Sequence, residues 1–287
     1  LRFMLVFAIC RPAGSTVAPL LAEKGYRIVL IEKAHHPRFH IGESLLPANL
    51  PLFERLGIDE EVRAIGMEKW GAEFVSPHHA MPQAFHFAEA WDKSMPYAYQ
   101  VQRAEFDAIL IRNAKRKGVE VHEGCKAKTV DFLPDGTAVI RSHNNDGHEV
   151  EWTARFVVDA SGRDTFLANR FQIKHRNPRH NSSAVYGHFT GARRHEGLEE
   201  GNITIFWFEH GWFWFIPMQG DVTSIGMVTW PYFMKTRGKR SIERFLMDGI
   251  ATCPALAQRL ERAELINQVE ATGNFSYVSE RNHGPNY

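Results

Sequence analysis

The chain has 287 residues, 44% hydrophobic and 23% charged, which suits a folded protein of one large domain or two smaller ones. Its 34 Lys and Arg against 33 Asp and Glu leave a net charge of +1, so composition gives no reason to expect nucleic acid or an anionic membrane as partner. Twenty Phe, seven Trp and seven Tyr exclude intrinsic disorder, and no apolar run approaches the ~18 residues of a membrane span.

In chain order, Phe3–Ile9 is a continuous apolar run that predicts a strand buried on both faces. A helix is expected over Ala13–Lys24, closed by Gly25, and a second buried strand over Arg27–Ile31, closed by Glu32. Together they make a βαβ unit. A His-, Pro- and Gly-rich loop, residues 35–46, leads to a helix over Pro47–Leu56. Strands follow in Trp70–Phe87, then a helix over Arg103–Lys117 with Phe106, Ile109 and Leu110 on one face. Glu120–Val150 alternates strands with turns at Pro134-Asp135-Gly136 and at Asn144–Gly147, and Phe156–Asp159 reads as another buried strand. Ser182–Trp230 is mostly β, and Ser241–Arg262 is helical with an interruption near Pro254.

The expected fold is α/β: a Rossmann-like parallel sheet with an interleaved antiparallel sheet. Residues 1–75 and 100–180 form the cofactor-binding part and 76–99 with 181–240 the substrate-facing sheet. Residues 241–287 form a helical segment and a return to the cofactor-binding part. The chain begins at Leu1 rather than Met and ends at Tyr287 with no closing helix, which reads as a fragment of a longer protein. Cys10, Cys125 and Cys253 share no metal-ligand spacing and favour a reducing compartment, the cytoplasm. His35-His36 and His78-His79 have no Cys or carboxylate at ligand spacing, so no metal site is expected.

The first turn, Ala8-Ile9-Cys10-Arg11-Pro12-Ala13-Gly14-Ser15-Thr16, keeps only Gly14 of a dinucleotide fingerprint whose other glycines would stand at positions 9 and 11. Arg11 is expected to obstruct the pyrophosphate position. Glu32, eighteen residues past Gly14, has the chemistry to accept hydrogen bonds from an adenosine ribose. A βαβ unit that binds no nucleotide is the alternative.

Five segments carry a family resemblance. Pro12-Ala13-Gly14-Ser15 followed by Ile28-Val29-Leu30-Ile31-Glu32-Lys33 resembles the FAD-binding start of the flavoprotein monooxygenase superfamily. Phe39–Pro47, with Gly42-Glu43-Ser44, resembles a segment of flavin-dependent halogenases. Val101–Asp107 is similar to the V-D-R-x-x-F-D stretch of the superfamily, and Val158–Arg163 to its D-A-S-G-R segment. Gly211–Pro217 matches the W-x-W-x-I-P pattern of halogenases.

The resemblance implies FAD, reduced by a separate flavin reductase, and a halide co-substrate that becomes hypohalous acid. It implies cofactor contacts from Ala13, Gly14, Ser15, Glu32, Lys33, Ser44, Arg103, Asp159 and Gly162. Trp212, Trp214, Ile216 and Pro217 would form a wall between flavin and a small aromatic substrate, free or carrier-bound. Lys69, in Lys69-Trp70-Gly71-Ala72, lies where related halogenases carry a catalytic lysine in K-x-G-A. It is expected to be partly buried and to share a passage with the Trp pair. The superfamily's second flavin motif, G-D-A, is not in this chain. Blander readings stay open: a surface lysine, core tryptophans, a turn at Asp159–Gly162, a solvated Arg103. So do a hydroxylase or isoprenoid-type reductase of the same superfamily, and a degenerate chain that keeps the fold without FAD.

Overall fold

The computed structural model describes residues 12–273 and 276–287, so the strand expected at Phe3–Ile9, together with Cys10 and Arg11, lies outside the described residues. Helix α1 (Pro12–Ala22) packs Val17, Ala18 and Leu21 among Ile28, Leu30, Ile111 and Val119. Strand β1 (Val29–Glu32) is buried at all four positions, as its unbroken apolar run requires. Helix α2 (Leu50–Leu56) ends at Gly57. Helix α3 (Asp59–Ile65) has a weak apolar pattern that the sequence reading passed over. Its first turn holds three acidic residues, which favour a helix N-terminus, and Val62 is its one buried side chain.

Short strands β2 (Met67–Lys69), β3 (Gly71–Val75), β4 (Gln83–His86) and β5 (Ala98–Gln100) precede helix α4 (Arg103–Arg116). Strand β6 (Glu120–Glu123) pairs in parallel with β1. A meander follows: β7 (Cys125–Phe132), β8 (Ala138–Asn144) and β9 (Glu149–Ala154). It packs on β1 through Val130, Ala138 and Ile140 against Val29 and Ile31. Helix α5 (Phe166–Arg170) and strand β10 (Lys174–Arg176) complete this half.

The second half is built on β11 (Ser183–Thr190), β12 (Ile203–Phe208), β13 (Gly211–Pro217) and β14 (Thr223–Thr229). Helices α6 (Pro231–Lys235), α7 (Ile242–Ala251) and α8 (Pro254–Arg259) follow, then strands β15 (Glu264–Leu265), β16 (Glu270–Gly273) and β17 (Tyr277–Ser279). One eight-stranded sheet runs β15-β11-β14-β13-β12-β3-β4, with β16 also on β11. All of its pairs are antiparallel except β12 with β3. The period-two alternation sorts its side chains. Phe206, Phe213, Phe215, Ile225 and Met227 face Phe245, Leu246 and Leu256 of α7 and α8. Tyr186, Trp214, Ile216 and Val228 line the opposite face with Ile41.

Three expectations change. Gly71–Val75, placed with the cofactor-binding part, is a strand of the large sheet, because Ile203–Phe206 pair with it in parallel. Phe156–Asp159 forms no strand among the described residues. There the Val157 amide donates to the Asn286 carbonyl at 2.8 Å, while the side chain is buried with Val29 and Ile31. The tail divides: β15 and β16 extend the large sheet, and only β17 returns, to β10. Among the described residues no helix is long and apolar enough to cross a membrane.

Candidate active site

Lys69 ends β2 and is 2% exposed, among the largest of the almost fully buried side chains in the described residues. Its backbone is fixed by pairing with Ala98 of β5. The strand breaks one residue later, where the Asn202 side-chain oxygen accepts both the Trp70 and Gly71 amides, at 2.9 and 2.7 Å. Gly71 is required here: a Cβ would meet the Phe85 carbonyl oxygen at 2.5 Å. The glycine of the K-x-G-A segment therefore serves the packing of β3 on β4, and that bend leaves Lys69 inside.

The Lys69 amine donates to Ser44 Oγ at 2.6 Å and lies 5.6 Å from the centre of the Phe87 ring. No described carboxylate pairs with it. Burial, uncompensated, lowers its pKa from 10.5 to about 8. About a tenth of such an amine is unprotonated at pH 7, against well under a thousandth for an exposed lysine.

Residues 43–45 run beside β5: the Leu45 amide donates to Tyr99 O at 3.0 Å, the Val101 amide to Glu43 O at 2.8 Å, and Ser44 bridges Gln100. Met67 also stands opposite Gln100, so Ser44, Gln100 and Lys69 share one face. Arg103 braces this loop. Its Nη1 donates to Ile41 O at 3.0 Å and Gly42 O at 3.3 Å, while Nε and Nη2 fork onto Asp107 at 2.8 and 3.0 Å. Its fork, expected to face a flavin phosphate or ribose, is engaged within the protein. Ser44, expected at the cofactor, points to Lys69.

Three functional candidates escaped the sequence reading. Glu43, 1% exposed, binds His188 Nε2 through Oε1 at 2.7 Å, and its Oε2 has no partner among the described residues. Gln100, fully buried, donates to Gly201 O at 3.1 Å, and its Oε1 has no partner among the described residues. Such orphans are uncommon in a folded interior. The signal for Glu43 was its place beside Ser44 in Gly42-Glu43-Ser44; His188 and Gln100 gave none.

Trp214 lies flat on its register partner Gly226, where a Cβ would sit 2.0 Å from the indole ring. Its Nε1 donates to Ser224 Oγ at 3.0 Å. Trp212 is 6.2 Å away between ring centres, and Tyr186 5.9 Å from Trp214. Ile216 is buried on the same face and Pro217 ends the strand. A cavity of about 370 Å³ opens beside Trp212, lined also by His180, Ser182, Trp230 and Ser276. Lys69 is not among its lining residues. What links Lys69 to the tryptophan face is the loop: Phe39 touches Tyr186 and His188, and Ile41 packs with Trp214.

At the α1–β1 end, Ala13 is exposed, and Gly14 and Ser15 are buried in the first turn of α1. Glu32 is fully buried. Oε1 accepts the Ala34 amide at 2.8 Å, and Oε2 has no partner among the described residues. Burial raises its pKa. An inward carboxylate oxygen with nothing to accept from is what a ribose hydroxyl would satisfy, so the residues fit the adenosine half of a flavin dinucleotide. Lys33 pairs with Asp164. Asp159 accepts the Ser161 and Leu167 amides, at 2.9 and 2.8 Å, and Gly162 has φ 58°. These two residues shape the loop after Val157 and hold its turn. The structure thus gathers Ser44, Arg103 and Lys69 around one loop, and puts Gly14 and Ser15 in the first turn of α1 and Glu32 at the end of β1; Ile9 and Arg11 lie outside the described residues.

Fold and site define an α/β protein with a nucleotide-fitting end at α1 and β1 and a large sheet whose tryptophan face looks onto a loop holding a buried lysine. The sequence profile described as tryptophan halogenase matches residues 11–92 and 75–246, and the chain belongs to that family. Tryptophan 2-halogenase of Chondromyces crocatus is 33% identical over 96% of this chain and 53% of its own length. A 1H-pyrrole-2-carbonyl-[peptidyl-carrier protein] chlorinase of Pseudomonas fluorescens is 28% identical over 93% of this chain and 64% of its own. The myxobacterial chondrochloren halogenase, described as a variant of FAD-dependent halogenases, superposes with a TM-score of 0.89. It is 33% identical, over 97% of this chain and 65% of that one. The flavin-dependent halogenase CmlS gives a TM-score of 0.91 at 28% identity, over 98% of this chain and 51% of that one. The chain spans about half the length of the curated relatives it matches.

Proposed function

We propose that this chain carries the halogen-transferring centre of a flavin-dependent halogenase, with Lys69 as the catalytic residue. The observation that carries the reading is a buried amine with no counter-charge among the described residues, in the segment that resembles the family's lysine motif. Ala13, Gly14, Ser15 and Glu32 would hold the adenosine half of FAD. When bound in reduced form, FAD would supply two of the four electrons that reduce oxygen, the other two coming from halide as it is oxidised to hypohalous acid, with water as the second product.

The chain's own residues do the rest. The unprotonated Nζ of Lys69 attacks the halogen of hypohalous acid; the N–X bond forms, the O–X bond breaks, and water leaves with one amine proton. An electron-rich aromatic carbon then attacks the halogen. The N–X bond breaks, its electron pair returns to Nζ, and the ring proton lost on rearomatisation restores the amine. Trp212, Trp214, Ile216 and Pro217 form the wall that keeps the substrate from the flavin, so that halogenation replaces direct hydroxylation. Arg103, Asp159 and Gly162 brace the loops around the cofactor. A flavin reductase is the partner this chemistry needs, and the substrate is a phenol or pyrrole, free or on a carrier protein.

The test is halide dependence. The full-length protein, with FAD, a reductase, NADH and a panel of phenols and pyrroles, should give products heavier by one halogen only when chloride or bromide is present. Hydroxylated products formed regardless of halide would overturn the reading in favour of a monooxygenase.

A further inference from the structure

Lys69 poses a chemical problem. Its amine must be available unprotonated near neutral pH, yet it must be held in one place by something. A carboxylate partner would hold it but would stabilise the ammonium and return the pKa to its ordinary range. No partner at all would leave buried N–H groups unsatisfied. A hydroxyl avoids both. It accepts from the ammonium and, by rotating, donates to the free amine, and it brings no charge.

Ser44 is placed to do this. Its backbone is fixed by the Leu45–Tyr99 and Val101–Glu43 hydrogen bonds on either side and by the bridge to Gln100. Its loop is clamped twice more, by Arg103 on the Ile41 and Gly42 carbonyls and by Glu43 on His188. The hydroxyl therefore has a fixed origin, and it meets the amine at 2.6 Å. The same loop rests on the tryptophan face through Phe39 and Ile41. We propose that Ser44 is a positioning residue for Lys69, holding the amine in register with the tryptophan face while leaving it free to lose its proton. The proposal rests on the reading of Lys69 given above.

The charged groups on the surrounding elements are turned elsewhere. Glu43 is engaged with His188, Arg103 with Asp107 and Glu200 with Arg194, while Glu68 is exposed and Tyr99 stands with Arg63. None of them supplies the amine with a charge partner, which leaves the hydroxyl as its polar contact.

The experiment is competitive acetylation of Lys69 against pH, read by mass spectrometry, on the wild-type protein and the Ser44→Ala and Ser44→Thr variants. Circular dichroism checks folding, and Ser44→Thr retains the hydroxyl if the alanine variant is unstable. Loss of the hydroxyl removes an acceptor for the ammonium, so the Ser44→Ala midpoint should fall by roughly half to one pH unit. In the FAD-loaded protein, kcat for halogenation should fall roughly tenfold with KM little changed, as expected when a group that acts only in the chemical step is misplaced. Ser44→Thr should restore both. An unmoved midpoint, or a moved midpoint with undiminished kcat, overturns the proposal. Undiminished halogenation in Lys69→Ala overturns instead the reading of the site. That result is separate, because acetylation needs no halogenase activity.

Discussion

Two buried charges stand four residues apart, on either side of the bend at Trp70. Lys69 has a serine and an aromatic ring for company, and burial lowers its pKa to about 8. Glu73 is 9% exposed and has three partners: Arg259 Nη2 at 2.8 Å, Thr204 Oγ1 at 2.9 Å and His195 Nε2 at 3.0 Å. Burial alone would raise the Glu73 pKa, but the bonds from His195, Arg259 and Thr204 outweigh it, and the carboxyl lies below its ordinary value. Arg259 in turn lies over Phe206 and Phe215, at 5.3 Å from each ring. The compensated charge ties α8 to β3 and β12 and is inert. The uncompensated one is held in an unfavourable charged state, which favours the free amine that the proposed chemistry needs.

The comparison breaks most visibly at Lys69→Ala. Halogenated product should fall by at least about a hundredfold, while oxygen consumption driven by NADH continues and stability does not drop. Liquid chromatography with mass spectrometry, alongside an oxygen electrode, checks this; halogenation within a few-fold of wild type would return Lys69 to the structural side.

Glu73→Ala should do the reverse. It leaves Arg259 buried without its anion and should cost about 3–5 kcal/mol in urea unfolding. Rate per folded molecule should stay close to wild type. A loss under about 1 kcal/mol would mean that the pair is solvated and the contrast false.

Lys69→Met sharpens the account from the side of stability. Lys69 in the unfolded chain keeps its proton up to pH 10.5 and in the folded protein only to about pH 8, so the unfolded state binds more protons between those values. Wild-type stability should therefore rise with pH across that window. The methionine variant should be more stable by up to about 3 kcal/mol at pH 7, an advantage that shrinks toward pH 10. Urea midpoints at the two pH values decide it, and an equal advantage at both would contradict the burial penalty.

Much of this was readable beforehand, for identifiable reasons. The apolar pattern of Ser182–Trp230 marked the central strands of the large sheet but not β15 or β16, and the Trp212 and Trp214 spacing put both rings on one face, because side-chain direction along a strand is a local property. Lys69 was found through the residues around it. What was not legible depends on contacts distant in sequence. Nothing near Gly71 announces that Asn202 will catch its amide, and so nothing announces that the bend will bury Lys69 rather than expose it. Arg103 and Ser44 were matched to the cofactor by motif, yet their partners are set by how the residue 41–46 loop lies against β5 and α4. Helix α3 was missed because one buried side chain leaves no periodicity to detect.

The account turns on whether the Lys69 amine is uncompensated. The most direct measurement is the titration of its ε-methylene and amine by heteronuclear NMR in the folded protein, assigned by the Lys69→Arg variant. An inflection near pH 8, little moved by salt because no counter-ion is being screened, is the predicted result. An inflection near the ordinary 10.5 would mean that the amine is solvated or paired after all, and Lys69 would carry no more chemistry than any other lysine of the chain.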